Sequence, residues 1–222
     1  MSKQAIIISG SNGNLAQAFI TSIGSNHYDL FFVKDGSKLY SANIGPVDDE
    51  MLLNYTTVKL IHLASPDHES CQRDASLALD VNYYLVLNLL DKAYSQKITT
   101  IIFASTTRVY GDNITRPIDE DSKLCIENSY SAVKYLTERM LECMWREQNL
   151  KLNIFILRIS NVVSVLGNDN LRRPLLNEFC WQAAKYNEII IRNPENLVKN
   201  FVNIHNVCHS IKELLKYEKT PK

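Results

Sequence analysis

Short, almost continuously apolar runs alternate along the chain with stretches whose apolar positions recur every three or four residues. The runs cover residues 5–9, 30–33, 59–63, 100–104 and 153–158. Runs of this length, bounded by turn residues, predict strands covered on both faces. Between them Leu15, Phe19, Ile20 and Ile23, then Leu77, Val81, Leu85 and Leu89, then Val133, Leu136, Met140, Leu141 and Met144 keep helical spacing. Each set predicts an amphipathic helix with one face on the sheet. Strand and helix in alternation predict an α/β fold built on a right-handed, doubly wound parallel sheet.

Beyond Arg158 the pattern loosens into a helix over 175–186, a short strand over 188–192 and a last helix over 206–217, an expected appendage at the carboxyl ends of the strands. No linker, repeat or low-complexity tract interrupts the chain. The expected division is residues 1–160 for the sheet domain and 161–222 for a partial lobe, whose end could return to the sheet.

Charge changes the picture by exclusion. The 222 residues carry 24 Lys and Arg against 24 Asp and Glu, a formal net charge of +0. A neutral chain has no long-range field to collect a polyanion, so neither nucleic acid nor an anionic membrane is an expected partner. The four apolar residues before Ser9 and Gly10 are too few for a signal-peptide core or a bilayer span. Cys71, Cys125, Cys143, Cys180 and Cys208 are scattered without a C-x-x-C pair, which predicts reduced thiols, no metal centre and a cytoplasmic setting.

The first predicted strand runs into Gly10-Ser11-Asn12-Gly13-Asn14-Leu15-Ala16 and then directly into helical spacing. Glycines at such a turn let backbone approach a pyrophosphate, and the N–H groups of the helix start then bind its charge. A tight structural turn is the alternative. The second strand ends in Val33-Lys34-Asp35. Lys34 at the ribose position would favour a 2′-phosphate, and Asp35 there a free 2′-hydroxyl, so NAD and NADP both stay open. His62 lies within an apolar strand and reads as a satisfied core histidine. Asn82, in mid-helix after Asp80-Val81, is either a polar structural anchor or a relay near the site.

The strand over 100–104 delivers Ser105-Thr106-Thr107-Arg108 to the strand ends where such sheets bind ligands. Further on, a helix opens with Tyr130-Ser131-Ala132-Val133-Lys134. Spacing of four puts Tyr130 and Lys134 on one face, where an ammonium can lower the phenol's pKa and let it exchange a proton with an alcohol or carbonyl. Thr106 could hydrogen-bond the same oxygen. Chance alone places about 0.7 such pairs in a chain with 11 Tyr and 15 Lys, and Tyr55 with Lys59 is another. That second pair runs into a strand, where residues four apart stand roughly 13 Å apart. The weight lies in the conjunction of loop, strand-end hydroxyls and helical Tyr and Lys.

Together with Ile61-His62-Leu63-Ala64, Pro117-Ile118-Asp119-Glu120, Leu157-Arg158-Ile159-Ser160-Asn161-Val162 and Lys199-Asn200-Phe201-Val202-Asn203, these motifs make the chain resemble the extended short-chain dehydrogenase/reductase superfamily. Within it, the resemblance is to the NAD(P)-dependent epimerase/dehydratase branch acting on nucleotide-activated sugars. It implies a Rossmann sheet with a small, truncated C-terminal substrate lobe. It implies Tyr130 as the acid/base, Lys134 on the nicotinamide ribose and Thr106 orienting the reacting oxygen. The implied cofactor site adds Gly10, Asn12, Gly13, Asn14 and Leu15, then Lys34, Asp35, Asn43 and Ile44, then Leu63, Ala64, Ser65 and Asn82. Thr107 and Asn161 would join Thr106 at the substrate, and a homodimer through two helix pairs is a further implication.

Four positions depart from the branch. Ala16 takes the place of the third glycine, and Asn43 that of an Asp on the adenine. Val163-Ser164 replaces Tyr-Gly, and Thr107-Arg108 replaces the Asp-Glu pair of the sugar dehydratases. Eliminating water needs an acid and a base beyond the tyrosine. The expectation is therefore an NAD(P)-dependent epimerase or keto-reductase of a nucleotide-linked or related sugar, with dehydration disfavoured. A non-catalytic, regulatory NAD(P)-binding protein is the alternative.

Overall fold

A computed structural model describes residues 4–24, 28–41, 45–92, 94–112, 114, 117–147, 152–164, 175–191 and 199–217. Its strands are β1 (Gln4–Ser9), β2 (Asp29–Lys34), β3 (Lys38–Ser41), β4 (Gly45–Val47), β5 (Thr57–His62), β6 (Ile98–Thr106), β7 (Asn153–Ile159), β8 (Asn161–Val163) and β9 (Phe201–Asn203). The helices are α1 (Asn14–Ile23), α2 (His68–Arg73), α3 (Ala75–Leu79), α4 (Leu85–Leu90), α5 (Ser129–Glu147), α6 (Leu175–Tyr186) and α7 (Ile204–Lys216). Seven strands form one sheet in the order β4-β3-β2-β1-β5-β6-β7. The five from β2 to β7 in that order run parallel, as expected of a Rossmann sheet.

One row of residues crosses the sheet: Phe31 lies beside Ile7, Ile7 beside Leu60, Leu60 beside Ile101 and Ile101 beside Ile154. Because successive side chains alternate faces, these residues feed one core, with Val86 and Leu89 of α4 and Leu141 of α5. Ile6, Ile8, Ile61 and Ile102 point the other way, onto Phe19 of α1 and Val207, Ile211 and Leu215 of α7. Each such buried side chain contributes about 1.5–3 kcal/mol. Apolar runs without alternation in polarity are the consequence of this double cover. The chain visits β2 from β1 on one side and later returns beside β1 with β5, so the carboxyl ends of β1 and β5 form a topological switch point.

Several expectations are corrected. The strand expected over 188–192 is absent among the described residues. Ile189, Ile190 and Ile191 are exposed and pair with no described strand, and residue 192 lies outside the described residues, whereas Phe201–Asn203 pairs in parallel with Asn161–Val163. A β-branched run makes a strand only where an edge is available to pair with it. The antiparallel edge of β3 and β4 carried no apolar run: it is short, and Lys38 and Pro46 sit in it. The single helix expected through Leu77 and Leu89 is broken. Asp67 and Asp74 cap α2 and α3 through their side chains, and residues Asp80–Tyr84 form a π-helical turn before α4. Leu77 and Leu136, expected on the sheet-facing stripes, are 40% and 43% exposed.

Candidate active site

At the carboxyl end of β1 the chain turns through Gly10, with φ of +74°, and Gly13 donates its N–H to the Gly10 carbonyl at 2.9 Å. A Cβ on Gly10 would lie 2.6 Å from the Ala64 nitrogen, so the turn closes directly on the backbone after β5. Gly13 caps α1 without any side-chain hydrogen bond. Its neighbours Asn12, Asn14 and Leu15 are exposed or half-buried, and Ala16 is buried against the sheet. A backbone cradle that side chains cannot fill, at a helix start with no side-chain cap, fits a dinucleotide pyrophosphate.

Lys34 ends β2 exposed, with Nζ 5.3 Å from the Tyr40 ring centre. Asp35, in the left-handed turn that follows at φ +46°, accepts a hydrogen bond from the Tyr40 hydroxyl at 2.8 Å. Asn43 and Ile44 lie outside the described residues.

A cavity of about 1500 Å³ opens along the ends of β5, β6 and β7. Leu63, Ser65, Thr106, Thr107, Tyr130, Lys134 and Asn161 all line it. Thr106 ends β6, and its Oγ1 accepts the Arg108 N–H at 3.2 Å, which fixes the turn beyond the strand. Asn128 starts α5 by accepting the Ser131 N–H at 2.9 Å, so Tyr130 projects from a well-defined first turn and Lys134 from the turn after it.

Burial pushes the Tyr130 phenol up, while hydrogen bonds with Thr106 and Ser65 and the charge of Arg108 act against that rise. Lys134 is 1% exposed; its Nζ donates to the Ala104 carbonyl at 2.6 Å and lies 4.9 Å from the Phe103 ring centre. Burial brings its ammonium down to about 7, with Cys71 and Glu138 opposing the fall. Both residues line the same cavity, one helical turn apart on α5.

Asn82 does not stand on the cavity wall. It is fully buried, donates from Nδ2 to the Ala78 carbonyl at 2.9 Å, and receives the Thr137 hydroxyl on its own carbonyl at 3.0 Å. Of its two readings, the polar anchor between the π-helical turn and α5 is the one its contacts describe. His62 is likewise internal: Ser9 Oγ is 2.9 Å from Nδ1, and its ring stacks on Phe103 at 5.6 Å. Tyr55 and Lys59 do not act together, since the phenol donates to Asp29 at 2.6 Å and the Lys59 ammonium to the Leu215 carbonyl.

Four further residues stand at or behind this site, two of them, Arg108 and Arg158, within the motifs quoted above and two, His68 and Glu138, outside them. Arg108 lines the cavity and forms an ion pair with Asp112. His68 sets its ring edge-on to Tyr130 at 6.2 Å. Glu138 and Arg158 form a largely buried pair at 2.7 Å. Of the two outside those motifs, Glu138 left a signal, being four residues beyond Lys134 on the same face of α5.

The sequence matches the family model for the NAD dependent epimerase/dehydratase family over residues 6–221. Among solved structures, the UDP-glucose 4-epimerase of Thermotoga maritima is similar at 21% identity, covering 96% of this chain and 73% of that one, with a TM-score of 0.78. The UDP-N-acetylglucosamine 4-epimerase of Bacillus cereus is similar at 24% identity, covering 99% and 74%, with a TM-score of 0.76. An NAD dependent NDP-hexosamine 5,6-dehydratase of tunicamycin biosynthesis is similar at 20% identity, covering 98% and 74%, with a TM-score of 0.75. A comparison with curated proteins gives no significant match. The structural likenesses establish the fold, and the match across residues 6–221 establishes that the chain belongs to the NAD dependent epimerase/dehydratase family.

Proposed function

We propose that the chain is an NAD(P)-dependent epimerase or keto-reductase acting on a nucleotide-linked or related sugar. One observation carries this reading: Thr106, Tyr130 and Lys134 line one cavity at the ends of parallel strands, beside a glycine turn shaped for a dinucleotide. When bound, a nicotinamide dinucleotide supplies the hydride donor or acceptor. Gly10, Asn12, Gly13, Asn14 and Leu15 would hold its phosphates, and Leu63, Ala64 and Ser65 would meet it at the switch point.

Tyr130 exchanges a proton between its phenol and a sugar hydroxyl or carbonyl. Thr106 and Ser65 hold the phenolic oxygen, and their hydrogen bonds favour its anionic form. The Lys134 ammonium stabilises the same anion, and its bond to the Ala104 carbonyl fixes its position. Thr107 and Asn161 contact the substrate, Asn161 being oriented by its own donation to the Asn200 carbonyl at 2.9 Å. Dehydration lies outside the proposal. Thr107 and Arg108 provide no acid pair, and the Asp112 carboxylate is occupied by Arg108 and Asn128.

A cytoplasmic setting and a homodimer belong to the same reading. No described helix is long and apolar enough to cross a membrane, and the five cysteines are free. Leu77, Tyr84 and Leu136 leave exposed apolar surface around α3 and α5 that a second copy would cover. The division into a sheet domain and a lobe is part of the proposal too, with α7 serving the sheet.

A panel of NAD, NADP and common nucleotide sugars in a thermal-shift assay tests the function, because a ligand that binds only the folded state raises its melting temperature. Stabilisation by a dinucleotide and by a nucleotide sugar that is then turned over is expected. The second reading, a non-catalytic NAD(P)-binding protein, is favoured by the exposure of Ile189, Ile190, Ile191 and Phe201 in the lobe. It predicts stabilisation by the dinucleotide with no hydride exchange for any sugar.

A further inference from the structure

The residue after Thr107 has a side chain that the proton exchange described above does not use. Arg108 lines the cavity two positions beyond Thr106, and its side chain is 36% exposed.

The guanidinium is mounted rather than loose. The Arg108 backbone N–H donates to Thr106 Oγ1 at 3.2 Å, and Nη1 forms an ion pair with Asp112 Oδ1. Asp112 is held in turn: its Oδ2 accepts from Asn128 Nδ2 at 3.2 Å, and its N–H donates to Glu127 Oε2 at 2.6 Å. Asn128 is the residue that starts α5 by accepting the Ser131 N–H. One chain of bonds therefore runs from the guanidinium to the helix turn that carries Tyr130, and it fixes the spacing of the two groups.

The bonding of the other cavity charges sets Arg108 apart. Lys134 donates to the Ala104 carbonyl, and Arg158 is taken up by Glu138 and the Tyr110 hydroxyl. Asp67 accepts the Ser70 N–H at the start of α2, and Glu120 is exposed to solvent. In Arg108, Nη1 is spent on Asp112, but Nε and Nη2, the other edge of the planar fork, have no protein partner among the described residues. Two parallel N–H donors on one edge match the two oxygens of a carboxylate. Lys199 also lines the cavity, but an ammonium is a point charge without that fork.

We propose that Arg108 reads a carboxylate on the sugar, so that the substrate is a nucleoside-diphosphate uronate. Its carboxylate sits on the Nε and Nη2 edge of Arg108 while the ring meets Thr106 and Tyr130. A uronate carries its carboxylate within a ring's width of every ring carbon, which suits a guanidinium mounted beside the phenol. The proposal rests on reading the cavity as a nucleotide-sugar site. The diphosphate of such a ligand offers anionic oxygens too, and the experiment separates the two sources.

The test is titration calorimetry of the full chain against UDP-glucuronate, UDP-glucose and UDP, and against GDP-mannuronate, GDP-mannose and GDP. In the series that binds, the uronate should bind about tenfold more tightly than its neutral sugar, the worth of one charge-assisted pair. Arg108→Gln should remove that advantage and leave the affinity for the neutral sugar little changed. Arg108→Lys, which keeps the charge and loses the fork, should keep only part of it. Should Arg108→Gln not fold, a partial loss in Arg108→Lys supports the proposal and an undiminished advantage overturns it. A uronate preference that survives Arg108→Gln overturns it as well. Equal weakening of all three ligands of a series by Arg108→Gln also overturns it, by placing the guanidinium on the diphosphate. Neutral sugars that bind as tightly as uronates in the wild-type chain overturn the proposal alone, whereas binding of no ligand in either series removes the nucleotide-sugar reading and the proposal with it.

Discussion

Gly10 and Ala64 meet backbone to backbone: a Cβ on Gly10 would stand 2.6 Å from the Ala64 nitrogen and 2.7 Å from its Cα. The contact joins the turn after β1 to the residues after β5, so it is where the switch point of the sheet is sealed. Gly10 also holds φ at +74°, where a side chain is strained whatever the space. Gly10→Ala should lower the unfolding free energy by about 1–3 kcal/mol, measured by urea denaturation. It should also weaken NAD(P) binding, because the loop cannot yield without moving the N-terminus of α1. Wild-type stability and affinity in this variant would show that the loop has room to relax.

Tyr130→Phe removes one oxygen and keeps the ring that packs edge-on to His68. Turnover should fall by roughly 10²–10⁴-fold, the usual worth of a positioned acid/base. Dinucleotide affinity, followed by fluorescence or thermal shift, should change little. Unchanged turnover would remove Tyr130 from the proton exchange.

The residues that could be identified from the sequence were those whose signal is local. A strand covered on both faces is apolar throughout, so β1 and β5 announced themselves, and Tyr130 with Lys134 lay one turn apart in a helix of clear period. Pairing partners leave no such trace. Ile189, Ile190 and Ile191 have the stronger strand composition, yet Phe201–Asn203 is the segment that finds an edge, beside Asn161. The π-helical turn around Asn82 depends on side-chain bonds to Ala78 and Thr137, the second from a helix more than fifty residues away. The Glu138 and Arg158 pair joins α5 to β7, and no spacing within either element foretells that the two meet.

In the proposed dinucleotide site, the end of β2 is where the choice between NAD and NADP would be made. Asp35 already accepts the Tyr40 hydroxyl at 2.8 Å, while the Lys34 ammonium is exposed at the strand end. A 2′-phosphate near that ammonium gains a charge-assisted contact that a 2′-hydroxyl does not. NADP should therefore bind about tenfold more tightly than NAD, and Lys34→Ala should bring the two affinities together. Titration calorimetry at low salt decides it, with equal affinities in the wild-type chain contradicting the assignment.

His62 ties the site to acid stability. It is fully buried against Phe103, and burial, reinforced by the Lys134 charge, pushes its imidazole down to about 3 despite backbone hydrogen bonds near Ala64 and Val81. In the unfolded chain the same ring titrates near 6.5. Between these two values the unfolded state binds the extra proton, so unfolding becomes easier as pH falls through that window and this contribution stops changing above it. His62→Gln carries no titrating ring and removes this share of the slope, even though other groups of the chain keep theirs. Urea denaturation of both proteins at several pH values between 4 and 7.5 should show the stability of the wild type falling faster on acidification than that of the variant. Parallel curves would mean that His62 accepts a proton in the folded chain, and the Ser9 hydroxyl would then have to act as its acceptor.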